Sequence, residues 1–221
     1  DFDTPSGSSH HRIGHIVPRV DWDEAHRSPL AEPDCPIKDG DYLIAIDGEE
    51  VRAMDNPYKF LENKSEKAVR ISYNTRASKD GAKTYLAKTI SSEGTIRYCE
   101  WVERNREAVT KASGGRIGYL HLPDMGEPGL IEFGRWYYPQ HTKEAIIIDE
   151  RYNGGGFVGD MIIDRLERQL WSVTQAREGK VVRNPEGVFF GHLAVMMNED
   201  TGSNGEYFAE AIKIKGLAKL I

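Results

Sequence analysis

The stretch EAIIIDERYNGGGF, residues 144–157, decides the architecture. Ala145 to Asp149 is apolar without polar alternation, the pattern of a strand covered on both faces. The polar residues after it lead into three consecutive glycines, Gly154, Gly155 and Gly156. From there Val158, Ile162, Leu166 and Leu170 recur every four residues, which predicts a helix over 158–171. A buried strand, a glycine loop and a helix in succession make up the repeating unit of a parallel sheet.

The same alternation continues in both directions. Toward the carboxyl end, HLAVMMN (192–198) reads as a second buried strand. A polar loop through residue 206 and a helix over 205–215 with Phe208, Ala211 and Ile212 on one side follow it. Toward the amino end, GRIGYLHL (115–122) reads as a strand and 128–138 as a helix. Residues 115–221 are therefore expected to form an α/β domain with a mostly parallel sheet flanked by helices. The chain closes on GLAKLI, where Leu220 and Ile221 read as the start of a further strand, so this domain is expected to be incomplete and the chain a piece of a longer one.

Before Gly114 the pattern changes. RIGHIV (12–17), DYLIAIDG (41–48), AVRISYN (68–74) and KTYLAKTI (83–90) are short strands punctuated by turn dipeptides such as Asp39-Gly40 and Asp47-Gly48. Pro57 opens a short near-helical stretch between them. The fold class is thus α+β followed by α/β: an upstream linker over 1–11, a small β-rich domain over 12–91, a linker helix over 92–114, and the α/β domain. The linker helix carries Ile96, Cys99, Val102 and Val109 as its stripe and is ended by Gly114-Gly115.

Composition narrows the function. The 221 residues are 39% hydrophobic, enough for real cores, and the 29 basic and 35 acidic residues are intermixed, giving a net charge of −6. There is no basic stripe for phosphates, so nucleic acid is not an expected partner. No apolar run approaches the ~20 residues a membrane span needs, so no membrane association is expected. Cys35 and Cys99 stand far apart and without metal-ligand spacing, so neither a metal nor a disulfide framework is expected, and a reducing, cytoplasmic setting fits.

Two loops at the carboxyl ends of predicted strands are where an open α/β sheet places its ligand site. The first contains Gly154 to Gly156, which let a backbone approach a ligand closely and can aim N–H groups at developing negative charge. A tight strand-to-helix connection would use the same residues, and no Lys-Ser or Lys-Thr pair follows to make a phosphate loop. The second loop presents Ser203 between Gly202 and Asn204-Gly205, directly before a helix. A serine there fits a helix cap, and it equally fits a nucleophile at a strand-to-helix turn.

The runs GRIGYLHLPDMGEPGLIEF, IIIDERYNGGGFV and MMNEDTGSNGEYF, in that order, resemble the catalytic domain of the tricorn peptidases, within the larger group that holds the carboxyl-terminal processing peptidases. RSPLAEPDCPIKDGDYLIAIDGEEV resembles the PDZ-like domain of the same family. The resemblance implies a serine peptidase that needs no cofactor, with Ser203 as nucleophile and an oxyanion hole made by the backbone N–H of Asn204 and of one glycine among Gly154, Gly155 and Gly156. It further implies a peptide or unfolded polypeptide as substrate and a homo-oligomer as the working form. Relatives often carry Asp where this chain has Asn204, which leaves a backbone donor intact but puts any role of that side-chain charge in question. The family's general-base histidine lies upstream of the PDZ-like domain and its orienting acid downstream of the nucleophile, so both are expected outside these residues.

Within the chain, Ser9-His10 imitates a Ser-His pair and His121 ends a strand. His10 is read as a surface loop residue and His121 as structural. Lys213, ten residues along the same helix as Ser203, lies about 15 Å away at 1.5 Å per residue and is out of reach. The alternative from another class is a non-catalytic PDZ-type peptide-binding or assembly protein. A third rests on fold analogy to the crotonase group, which uses paired backbone donors on acyl thioesters.

Overall fold

The computed structural model describes residues 1–20 and 26–221, which divide into two compact units, Asp1–Trp101 and Val102–Ile221. The first unit is built on an antiparallel sheet of β1 (Phe2–Asp3), β2 (His11–Ile13), β3 (Tyr42–Ile46), β5 (Ala68–Asn74) and β6 (Lys83–Lys88), in that order. The short β4 (Glu49–Glu50) pairs with β3. Asp47-Gly48 makes the β3–β4 turn with φ of 52° and 88°, the left-handed pair that a two-residue hairpin demands. Ile13, Leu43, Ile46, Val51 and Tyr73 are buried in this unit. The opening residues, expected as linker, contribute to the sheet: Phe2 pairs with Ile13 and its ring packs on the buried cluster. An apolar side chain near a sheet edge finds burial there that a linker would deny it.

A long helix, α1 (Gly94–Ser113), runs across the boundary between the units and ends at Gly114 and Gly115, both at positive φ. The second unit holds a parallel sheet in the order β12 (Lys219–Leu220), β11 (His192–Met196), β8 (Ala145–Asp149), β7 (Ile117–His121). Leu120, Ile146, Ile148 and Val195 from these strands join Phe133 and Tyr137 of α2 (Glu127–Gln140), Ile162 and Leu166 of α3 (Gly159–Leu166), and Phe208 and Ile212 of α4 (Asn204–Ile214) in one core. Tyr119 belongs to the alternate set of strand residues, and its hydroxyl meets Asn105 of α1.

The third helix is shorter than its four-residue pattern implies. It stops at Leu166, and residues 172–184 instead form an antiparallel hairpin of β9 (Ser172–Gln175) and β10 (Val181–Asn184). Leu166 is the last residue of the series that reaches the core; Leu170 and Trp171 are 37% and 76% exposed, so nothing rewards another turn of helix.

Candidate active site

The two loops named from the sequence follow the carboxyl ends of β8 and β11, which are neighbours in register, Met196 opposite Asp149. Adjacent strands therefore deliver both loops to one edge of the sheet, and a set of hydrogen bonds ties them together. The Gly202 N–H donates to Asn153 O (2.9 Å), the Tyr152 N–H to Asn198 Oδ1 (2.9 Å), and the Thr201 hydroxyl to Glu150 O (2.9 Å).

Ser203 sits exposed before α4 with φ 54° and ψ −123°, a left-handed backbone that a residue with a Cβ rarely adopts. A strained turn of this kind between strand and helix presents a side chain at the top of an α/β sheet. The glycine loop is brought against it. A Cβ built on Gly155 would lie 2.6 Å from Ser203 Cβ and 2.9 Å from the Asn204 nitrogen, and Gly155 has φ +94°. Gly156, at φ +149°, has its own constraint, since a Cβ there would fall 2.0 Å from Met125 O. Gly154 has open space around it.

The oxyanion candidates separate by what their N–H groups already do. The Gly155 N–H donates to Asn153 Oδ1 (2.9 Å), while the Ser203 N–H donates to Glu206 Oε2 (2.8 Å). The N–H groups of Gly154, Gly156 and Asn204 have no acceptor among the described residues. Asn204 lies at the first turn of α4, where orphan N–H groups and the helix dipole favour negative charge. Its side chain turns inward: Asn204 Oδ1 accepts from the Gly159 N–H at the first turn of α3 (3.0 Å). The amide at this position therefore fastens α3 to the Ser203 loop.

Neither in-chain base candidate is poised. His121 is buried, its Nε2 is 2.9 Å from Arg151 O, and burial lowers its pKa, so the ring is a neutral donor to a carbonyl. His10 lies buried in the first unit, not on a surface loop. Its Nδ1 is 2.9 Å from Ser9 Oγ and its Nε2 3.4 Å from Glu50, and the Ser9 hydroxyl is donated to Ala77 O. The Ser9 hydroxyl partners Nδ1, while Nε2 has the Glu50 carboxylate at ion-pair distance but makes no hydrogen bond among the described residues. His192 opens β11, about 17 Å of strand away from the loop that follows it, and His141 caps the carboxyl end of α2 before β8 begins. Lys215 is paired with Glu167 at 2.9 Å. No histidine or lysine nitrogen hydrogen-bonds Ser203 Oγ among the described residues.

Beneath the loops lies an ion network that the sequence reading did not single out. Asp149 has no exposed surface; burial would raise its pKa, but donation from Arg151 and from the Tyr119 hydroxyl (2.7 Å) outweighs that and holds it low. Asp149 in turn raises the Arg151 pKa, so the guanidinium stays charged. This fixes the chain direction just before the glycines. Ser203-x-x-Glu206 is a capping-box pattern legible in the sequence, and it was the available signal for Glu206.

Residues 1–92 match the family described as tricorn protease PDZ domain, and residues 116–221 match peptidase family S41. Along its whole length the chain resembles the tricorn branch of that peptidase family. It is 38% identical over 199 residues to the tricorn protease of Thermoplasma acidophilum, which covers 90% of this chain and 18% of that protein. It is 33% identical over 224 aligned positions to a tricorn protease homolog of Saccharolobus solfataricus, covering 100% of this chain and 20% of that one. The crystal structure of the tricorn protease superposes with a TM-score of 0.86 at 32% identity, over 100% of this chain and 21% of its own. The chain thus spans about a fifth of the length of these tricorn relatives. Among the described residues no helix is long and apolar enough to cross a membrane.

Proposed function

We propose that this chain is the PDZ-like and nucleophile-bearing part of a serine peptidase that hydrolyses peptide bonds through an acyl-enzyme on Ser203. The observation that carries the reading is the left-handed Ser203 at the start of α4, with Gly155 packed against its Cβ and the Asn204 N–H left without an acceptor among the described residues. In this reading Ser203 Oγ attacks the carbonyl carbon while the Asn204 N–H and a glycine N–H from Gly154 or Gly156 receive the oxyanion. Gly155 serves as the close-packed hinge of the loop, since its own N–H is taken by Asn153. A histidine from outside residues 1–221 takes the hydroxyl proton and returns it to the leaving amine, oriented by an acid that is also outside.

The substrate is a peptide or unfolded polypeptide and the working form a homo-oligomer, as the family resemblance implies, in the reducing, cytoplasmic setting that the spacing of Cys35 and Cys99 fits. Residues before about 91 are assigned to the PDZ-like part and those after Gly114 to the peptidase part, with 92–113 bridging them and carrying the boundary between the compact units at Trp101–Val102. The family matches support a peptidase, and no finding favours the non-catalytic alternative. The test is labelling of the full-length protein with a fluorophosphonate, a serine-directed acylation mimic. Adduct on Ser203, absent in Ser203→Ala, is expected. Adduct elsewhere with unchanged peptidase activity in Ser203→Ala would overturn the assignment.

A further inference from the structure

Ser203 holds a conformation that its own backbone disfavours, so something outside that residue must hold it. On its carbonyl side the helix does so, since the Tyr207 N–H donates to Ser203 O at 3.2 Å. On its amide side one bond acts, from the Ser203 N–H to Glu206 Oε2 at 2.8 Å. The neighbouring loop repeats the device. Tyr152 is also a non-glycine residue at positive φ, 67°, and its N–H is held by the Asn198 side chain. In both loops a side-chain acceptor grips the N–H of the left-handed residue.

We propose that Glu206 is a positioning residue for the reaction at Ser203: its carboxylate oxygen clamps the serine's backbone N–H, fixes where Oγ points, and reserves the neighbouring Asn204 N–H for the oxyanion. This rests on the reading of Ser203 as nucleophile. The bond has two consequences. Without it the left-handed residue is free to relax, carrying Oγ off the line of attack, and a misplacement of about 1 Å in a reacting group costs on the order of 100-fold in rate. Without it the Ser203 N–H also becomes a competing donor one residue from the proper one. Glu206 reaches no substrate atom in this scheme. Its side chain is exposed on the first turn of α4, so replacing it disturbs no core.

The test compares Glu206→Gln, which keeps an acceptor oxygen at the same reach, with Glu206→Met, which keeps the length and loses the acceptor. Both are made in the full-length protein alongside Ser203→Ala. Glu206→Met is expected to lose about 10- to 100-fold in kcat with KM within about threefold, and to be labelled by a fluorophosphonate correspondingly more slowly. Glu206→Gln is expected to stay within about threefold of the parent in both. Retained kcat in Glu206→Met overturns the proposal, including where its melting temperature falls, which would mark a helix cap only. An equal loss in Glu206→Gln also overturns it, by assigning the effect to charge. Should Glu206→Met not fold, Glu206→Ala is judged by the same criteria. Activity persisting in Ser203→Ala would instead remove the nucleophile assignment, whereas a dead Ser203→Ala beside a fully active Glu206→Met removes the Glu206 role alone.

Discussion

Glu150 has no exposed surface, and neither of its carboxyl oxygens has a hydrogen-bond partner among the described residues. Burial, and after it the charge of Asp149, pushes its pKa up to about 8 from the ordinary 4.5. Asp149 and Glu150 are consecutive, yet their fates differ. Asp149 finds Arg151 and Tyr119, and Glu150 finds no hydrogen-bonding group among the described residues. Between pH 4.5 and 8 the folded state therefore keeps a proton that the unfolded state has released. Stability is complete below the lower value and is lost as pH rises through the upper one, by up to about 1.4 kcal/mol per pH unit. Glu150→Met keeps the length and removes the titration. Its melting temperature relative to the parent is expected to rise by about 3–6 °C per pH unit across that window. Parallel melting curves from pH 5 to 8.5 would refute the assignment.

At the scale of elements, the glycine loop makes a graded prediction, because its three glycines face different constraints. Gly154→Ala meets open space and keeps the N–H, so folding and Ser203 labelling are expected within about threefold of the parent. Gly155→Ala must drive a methyl into Ser203 and Asn204, and Gly156→Ala must drive one into the Met125 carbonyl, both at positive φ. Each is expected to lower labelling at least about 100-fold, with Gly156→Ala also lowering the melting temperature through the Met125 bridge. Equal labelling rates across the three variants would show that the loop does not form part of the site. The triplet in the sequence announced a loop that needed glycine; only the backbone path tells which glycine meets which neighbour. The strands β8 and β11 were legible because a covered parallel strand admits no polar alternation. The β9–β10 hairpin was not, because Leu170 happens to continue the four-residue step of α3. The contrary signal lay in β-branched residues on either side of Glu178-Gly179, SVTQ and VVRN. Glu206 was legible as a cap, but its grip on a left-handed serine was not, since φ at Ser203 is set by the packing of two loops distant in sequence.

At the scale of the whole molecule, the division into Asp1–Trp101 and Val102–Ile221 bears on what residues 1–221 can do alone. Limited proteolysis is expected to cut first in the polar stretch 89–93 and at the hairpin tip 176–180, releasing a stable amino-terminal piece; a first cut within 145–148 would contradict a strand whose Ile146 and Ile148 are fully buried. The chemistry sets the second expectation. A serine hydroxyl is a weak nucleophile at neutral pH, and a missing triad member removes most of the rate while leaving the contribution of the oxyanion hole. Here His121 is committed to Arg151 O, and His10 is framed by Ser9 and Glu50. Residues 1–221 alone are therefore expected to hydrolyse a peptide at least about a thousandfold more slowly than the full-length protein, with Ser203→Ala abolishing the activity of the latter. Appreciable Ser203-dependent turnover by the isolated chain would mean that a base within it reaches Oγ. His121→Ala and His10→Ala would then identify which, since only the variant of the acting base would lose that turnover.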